Sequence, residues 1–239
     1  KENPKPGFEF TLSTKDLNQG SYTVEIQFVS NEGKVYASIN KSLRISRSFG
    51  IDVSTHQGNI AWNEAKNYIS YAILRIGWKG DTQESYDRYF DTYYNNCIKY
   101  NIPVGIYVYN YGTSVESARN IANRTLDWLN GRKLDLPIFF DIEEKSQENA
   151  NLRGINTEMA KTFCSIIQSR GYRAGIYGNK NFLTNYIDMR QLENDYVVWV
   201  AQYNDVCTYS GRYNIWQYSS SGRIPGINGN VDCNIFYGM

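Results

Sequence analysis

The chain has 239 residues, with 25 basic and 24 acidic side chains and a net charge of +1. That length allows one large domain with a small appendage, and the charge balance argues against a nucleic-acid binder, which carries a basic excess. A hydrophobic content of 41% with 21% charged residues points to a packed core rather than disorder. Residues 1–46 read as a small β-rich segment. "FEFTL" is an expected strand, "SYTVEIQFV" alternates Tyr22, Val24, Ile26 and Phe28 against polar neighbours, and "SNEG" turns the chain into "KVYASINKSLRI".

From Phe49 the texture changes to short apolar strands alternating with amphipathic segments. Eight strands are expected, at "FGIDVS", "YAILRIG", "IPVGIYVYNYG", "LPIFFDIE", "YRAGIYG", "YVVWVAQY", "YNIWQYS" and "GNVDCNIF". Helices are expected over 59–68, 86–100, 114–131 (opened by Ser114, closed by Gly131) and 156–171 (capped by Asn156, stopped by Gly171). They thin out after about residue 194. Strand–helix alternation with strands covered on both faces implies a parallel sheet, and eight strands over residues 49–239 favour a closed barrel. The fold class expected is therefore α/β: an irregular β/α barrel with eight strands and fewer than eight helices, preceded by a small all-β segment.

In a parallel barrel, chemistry sits at the carboxyl ends of the strands. The first expected strand ends in Asp52, the fourth in Asp141 and Glu143, and the last carries Asp232. Side chains at i and i+2 share a face, so Asp141 and Glu143 point the same way, with Ile142 opposite. Paired carboxyls in different environments are how glycosidases obtain a general acid beside an anionic partner. Other strand ends carry Tyr107, Tyr109, Tyr177, Trp199, Gln202, Trp216 and Gln217, and an aromatic share of 15% suits a sugar cleft. Glu144 reads as a solvated loop acid. The single histidine, His56, has no second His or Cys beside it to make a metal site. Cys97, Cys164, Cys207 and Cys233 lack zinc or redox spacing; Cys97 and Cys164 read as core residues, and pairing of Cys207 with Cys233 is left open. No run approaches the ~20 apolar residues of a membrane span, and the first six residues do not read as a signal peptide.

The segments "GIDVSTHQGNIAW", "YAILRIG", "IPVGIYVYNYG", "PIFFDIE", "AGIYGN", "VVWVAQY" and "IWQYSSSGRIPGINGNVDCNIF" together resemble the glycoside hydrolase family 25 muramidases, bacterial and phage lysozymes. The resemblance implies hydrolysis of the β-1,4 bond between N-acetylmuramic acid and N-acetylglucosamine, without a cofactor or metal. It implies bacterial peptidoglycan as partner, with no nucleic acid or membrane, and a monomer acting extracellularly or at the cell wall. Carried over by position, Glu143 is the acid/base, Asp141 orients the substrate acetamido group, and Asp52 and Asp232 shape the site. Tyr107 and Tyr177 lie near the cleaved sugar. "LRIGWKG" departs from the family pattern, which puts contacts on that side in question. The N-terminal pattern resembles part of an immunoglobulin-like surface repeat. Two competing readings are weaker: a non-catalytic wall-binding barrel would be expected to lack one of the four acids, and a chitinase would need an acid where Phe139 stands.

Overall fold

The structure is a computed structural model that describes residues 20–45 and 48–238. The chain divides into two compact units, Lys1–Arg47 and Ser48–Met239. In the first, β1 (Gly20–Val29) pairs antiparallel with β2 (Val35–Ile45). Gly33 supplies the positive φ of the turn, and Ser30 Oγ accepts from the Glu32 and Lys34 amides. Tyr22, Val24 and Ile26 alternate as the less exposed positions of β1. The expected "FEFTL" strand lies outside the described residues. Nothing in the hairpin distinguishes an immunoglobulin-like repeat from any other two-stranded ribbon.

The second unit is a closed barrel. Its strands are β3 (Ser48–Val53), β4 (Tyr71–Lys79), β6 (Val104–Asn110), β7 (Ile138–Asp141), β8 (Ala174–Asn179), β9 (Val197–Ala201), β10 (Ile215–Gly222) and β11 (Val231–Phe236). A short β5 (Glu84–Tyr86) pairs with the end of β4, and β3–β4 pairing closes the ring. Around it lie α1 (Trp62–Ala65), α2 (Phe90–Lys99), α3 (Val115–Leu129), α4 (Arg153–Ser169) and α5 (Lys180–Asn185). Seven barrel strands run parallel. The eighth, β11, is antiparallel to both neighbours, correcting the all-parallel expectation. The link over residues 223–230 is too short for a parallel crossover, which needs about a dozen residues.

The helix boundaries are corrected in three places. The helix expected over 59–68 is one turn, because Ile60 bridges to Ile227 and the Ala61 amide bonds to Gly226, holding the entry extended. Tyr86 belongs to β5, and α2 begins at Phe90 after a turn in which Asp87 accepts from the Tyr89 amide. Asn156 is not a cap. It is buried inside α4, where its amide donates to the Gln147 and Tyr186 carbonyls, while Asn149 caps the 3-10 turn that runs into the helix. Ser114 does cap α3, and Gly131 and Gly171 follow α3 and α4 with positive φ. All four cysteines are free and buried, so Cys207 and Cys233 do not pair.

Two apolar layers follow from the alternation of the strands. The outer one joins the strands to the helices, with Phe140 stacked on Phe163. The inner one fills the lumen with Tyr71, Ile73, Leu136, Phe139, Trp199 and Ile215. Bulky lumen residues need glycine beside them. Gly50 pairs in register with Tyr71 and Gly175 with Phe139, and a methyl on either glycine would overlap the neighbouring ring. We therefore expect Gly175→Ala to cost about 1–3 kcal/mol by overpacking. Gly154→Ala, in open space in α4, should instead raise stability by about 0.5–1 kcal/mol. Urea unfolding of both variants checks the pair.

Candidate active site

One lateral row of the barrel sets the site. Tyr109 of β6, Asp141 of β7, Tyr177 of β8 and Trp199 of β9 are consecutive register partners, so all four face the lumen. From the other side of the ring, Asp52 near the end of β3 pairs with Asp232 near the start of β11. Because β11 is antiparallel, Asp232 reaches the mouth from the amino end of its strand. Convergence of the two acids was expected, but the reason was not a shared carboxyl end.

Asp52 is buried and anchors a network. Its Oδ2 accepts from Gln217 Nε2 at 2.9 Å and Asn234 Nδ2 at 2.7 Å. Gln217 Oε1 in turn accepts from the Tyr177 and Tyr203 hydroxyls, each at 3.0 Å. Asn234 Oδ1 accepts from Trp199 Nε1 at 2.8 Å. Burial and the facing Asp232 carboxylate push the Asp52 carboxyl well above the usual range, against the lowering effect of the two amide donors. Burial also raises Asp232.

Glu143 lies beyond β7, which ends at Asp141, so the pair does not share a strand as expected. The Ile142 amide still bonds to the Tyr177 carbonyl, and Ile142 is buried in the outer layer. Glu143 Oε2 accepts from the Asn179 backbone amide at 3.0 Å and from Asn179 Nδ2 at 3.1 Å. Asn179 is fixed because its Oδ1 caps α5 through the Phe182 amide. Burial raises the Glu143 carboxyl, the two Asn179 donors pull it down, and Glu144 and Glu148 push it up again. Asp141 differs sharply. It is buried, and its Oδ1 has no hydrogen-bond partner among the described residues. Burial first, then the charges of Glu143 and Asp52, hold its carboxyl well above the normal range.

The remaining candidates separate. Tyr107 lies two residues before Tyr109 on the same face of β6, and burial keeps its hydroxyl and that of Tyr177 protonated. Trp199 is 1% exposed and packs against Phe139, Tyr177 and Tyr107. It is the floor beneath the acids, not a sugar-stacking face. Trp216 is 6% exposed and belongs to the outer layer, because alternation along Ile215-Trp216-Gln217 sends it away from the lumen; its Nε1 bonds to the Gln202 carbonyl. Gln202 borders a groove of ≈ 430 Å³ with Glu143, Tyr177, Asn179 and Tyr203, but its amide is occupied by Thr208. Tyr109 donates to Glu144 at 2.9 Å, so Glu144 stays at the mouth instead of leaving with the loop. Four participants were missed: Asn179, Asn234, Tyr203 and Arg75, whose positive charge pulls the Asp141 carboxyl down against its burial. Arg75 did carry a signal, a lone cation inside "YAILRIG". Among the described residues no cluster of three His, Cys, Asp or Glu side chains could hold a metal, and no helix is long and apolar enough to cross a membrane.

Comparison with known proteins bears on the fold and the family. The chain is 26% identical over 214 residues to the uncharacterized protein YegX of Escherichia coli (strain K12), covering 82% of this chain and 73% of that protein. It is 28% identical over 206 residues to lysozyme M1 of Streptomyces globisporus, covering 79% of this chain and 67% of that one. Among solved structures, the autolysin LytC from Streptococcus pneumoniae, in complex with a synthetic peptidoglycan ligand, superposes with a TM-score of 0.69 at 23% identity. The match covers 93% of this chain but 53% of the autolysin, so the chain spans about half of that protein's length. A family 25 glycosyl hydrolase from Bacillus anthracis superposes with a TM-score of 0.68 at 22% identity, covering 80% and 89%. The family model for glycosyl hydrolases family 25 matches residues 51–227, from the strand that carries Asp52 to the turn before β11. By that match, which takes in most of the barrel, the chain belongs to glycosyl hydrolases family 25.

Proposed function

We propose that this chain is a lysozyme that cuts bacterial peptidoglycan at the β-1,4 bond from N-acetylmuramic acid to N-acetylglucosamine, acting outside the cell, as a monomer and without a cofactor. The observation that carries the residue roles is the contrast between two neighbouring carboxyls. Glu143 is half-buried and borders the groove, with two N–H donors on one oxygen. Asp141 is deeper and offers an unpartnered oxygen. A buried lone acceptor suits the N–H of a 2-acetamido group, the substituent both sugars share.

The chemistry then has a defined proton order. In the free site, burial without donors favours the neutral form of Asp141, while Asn179 favours ionised Glu143. An acetamide N–H on Asp141 Oδ1 reverses this, because it stabilises the Asp141 anion and leaves the proton to Glu143. Glu143 donates that proton to the leaving glycosidic oxygen. As the bond breaks, the acetamido oxygen attacks the anomeric carbon, and Asp141 stabilises the positive charge that develops on the amide. Glu143 then takes a proton from water, which opens the intermediate at the same carbon. Two displacements retain configuration. Asp52 contributes through Gln217, whose amide it orients so that Oε1 holds Tyr177 over the reacting sugar.

Three measurements test this. Glu143→Gln should lower kcat on purified peptidoglycan by about 10²–10⁴-fold, the range that general acid–base catalysis supplies; near-normal lysis would remove Glu143 from the role. Proton NMR of the first-formed product should show the β-anomer, and an α-anomer would replace the acetamido nucleophile with direct attack by water. The protonated acid is the active form, so activity falls as pH rises through the Glu143 pKa. Asn179→Ser keeps a capping side chain but removes the Nδ2 donor, which raises that pKa and should move the alkaline limb of kcat/KM to higher pH.

The buried acids also set the stability of the fold. Asp52, Asp141 and Asp232 are all raised in the folded state, so the native protein binds more protons than the unfolded one. The contribution of these three to stability is fully present at acid pH, below the ordinary carboxyl range, and is lost as pH rises through the raised values. Asp52→Asn keeps the acceptor for Gln217 and Asn234 and donates to Asp232. It should raise Tm at neutral pH, with little change under acid conditions, and flatten the Tm–pH profile measured by calorimetry.

A further inference from the structure

Beside the acidic centre lies a second pocket, of opposite charge. It measures ≈ 320 Å³ and is lined by Thr55, Arg75, Trp78, Tyr86, Asp87 and Arg88. It opens at the mouth because the register of β4 against β6 slips between Arg75 and Gly77. Arg75 is opposite Tyr107 and Trp78 opposite Tyr109, so both turn toward the barrel mouth. A bulge that re-aims side chains is a recurrent device beside active sites.

The two guanidinium groups are held in the same way. Arg75 Nε donates to Asp87 Oδ2 at 2.8 Å, and Arg88 Nε donates to Thr55 Oγ1 at 2.8 Å. Thr55 is itself tied to the same carboxylate, its amide donating to Asp87 Oδ2 at 2.9 Å. Asp87 is buried and fully engaged, with Oδ1 accepting from the Tyr89 amide. One interlocked unit therefore fixes both Nε atoms, and the terminal Nη groups of both arginines have no protein acceptor among the described residues. Asp87 balances Arg75, and Arg88 leaves one positive charge over. Nearby arginines differ: Arg124 is paired with Glu84 and Arg132 with Asp91.

We propose that Arg75 and Arg88 form an oxyanion pocket that takes an anionic substituent of the muramic acid residue held in the active site. This rests on the lysozyme reading above. Planar forks of N–H donors suit carboxylate or phosphate oxygens. In peptidoglycan such oxygens come from carboxylates of the peptide attached through the lactyl group, or from a phosphate ester on the sugar. The carboxyls at the mouth offer an anion no fork of N–H donors, so such a group is accommodated to one side, where the bulge of β4 turns Arg75.

Isothermal titration of the full chain carrying Glu143→Gln, which prevents turnover, tests the pocket with three soluble tetrasaccharides of alternating N-acetylmuramic acid and N-acetylglucosamine. One is bare, one carries the peptide, and one carries a 6-phosphate on muramic acid without peptide. The peptide-bearing ligand should bind about tenfold more tightly than the bare one, as expected for a charge-assisted pair. Arg88→Gln, a change at an exposed side chain, should abolish that gain and leave affinity for the bare ligand unchanged. A gain confined to the phosphorylated ligand, and lost in Arg88→Gln, assigns the same pocket to the sugar phosphate. If the bare ligand binds and neither charged ligand gains, or if Arg88→Gln weakens all three equally, the pocket is overturned while the lysozyme reading stands. If none of the three binds, both fall.

Discussion

The mouth of the barrel depends on the hydrogen bonds made by one buried carboxylate, Asp52. Gln217 and Asn234 both donate to its Oδ2, and each carries the constraint onward, Gln217 to Tyr177 and Tyr203, Asn234 to the Trp199 indole. Five strands are tied through this node: β3 by Asp52 itself, β10 by Gln217, β11 by Asn234, β8 by Tyr177 and β9 by Trp199. A primary amide has one donor end and one acceptor end. With the Nε2 end of Gln217 committed to Asp52, its Oε1 end must face the tyrosines.

That node stands beside a second, less satisfied one. Asp141 is buried with an orphan oxygen, and Glu143 is held by Asn179 at the amino end of α5. An unsatisfied buried acceptor costs about 1–3 kcal/mol, and raised carboxyls at neutral pH add to that. The fold sustains these costs because the lumen beneath is filled by Phe139 and Trp199 and the outer layer is continuous around the helices. On the proposed reading, a substrate amide would supply the donor that Asp141 Oδ1 lacks.

Much of this was legible in the sequence, for identifiable reasons. The strands were short apolar runs bounded by Gly and Pro, and the acids stood where those runs stopped. The antiparallel direction of β11 was open to reading too, since residues 223–230 leave no room for a crossover. Alternation along Ile215-Trp216-Gln217 already sends Trp216 and Gln217 to opposite faces, so naming both as sugar contacts contradicted the period of the strand. Trp199 faces inward as its spacing required, but depth in a lumen depends on what lies above it. Asn179 is the last residue of β8, set by its second duty as the cap of α5, and Tyr203 reaches the site from just past β9, on loop backbone whose course no periodicity encodes. The same holds for Glu143, whose side comes from Asn179 and not from strand pleating.

The central claim is that the site cleaves after muramic acid. The most direct measurement is mass spectrometry of the fragments released from purified peptidoglycan, reduced with borohydride before separation. The account predicts that every new reducing end is N-acetylmuramic acid, recovered as its alcohol. Fragments whose new reducing end is N-acetylglucosamine would contradict it.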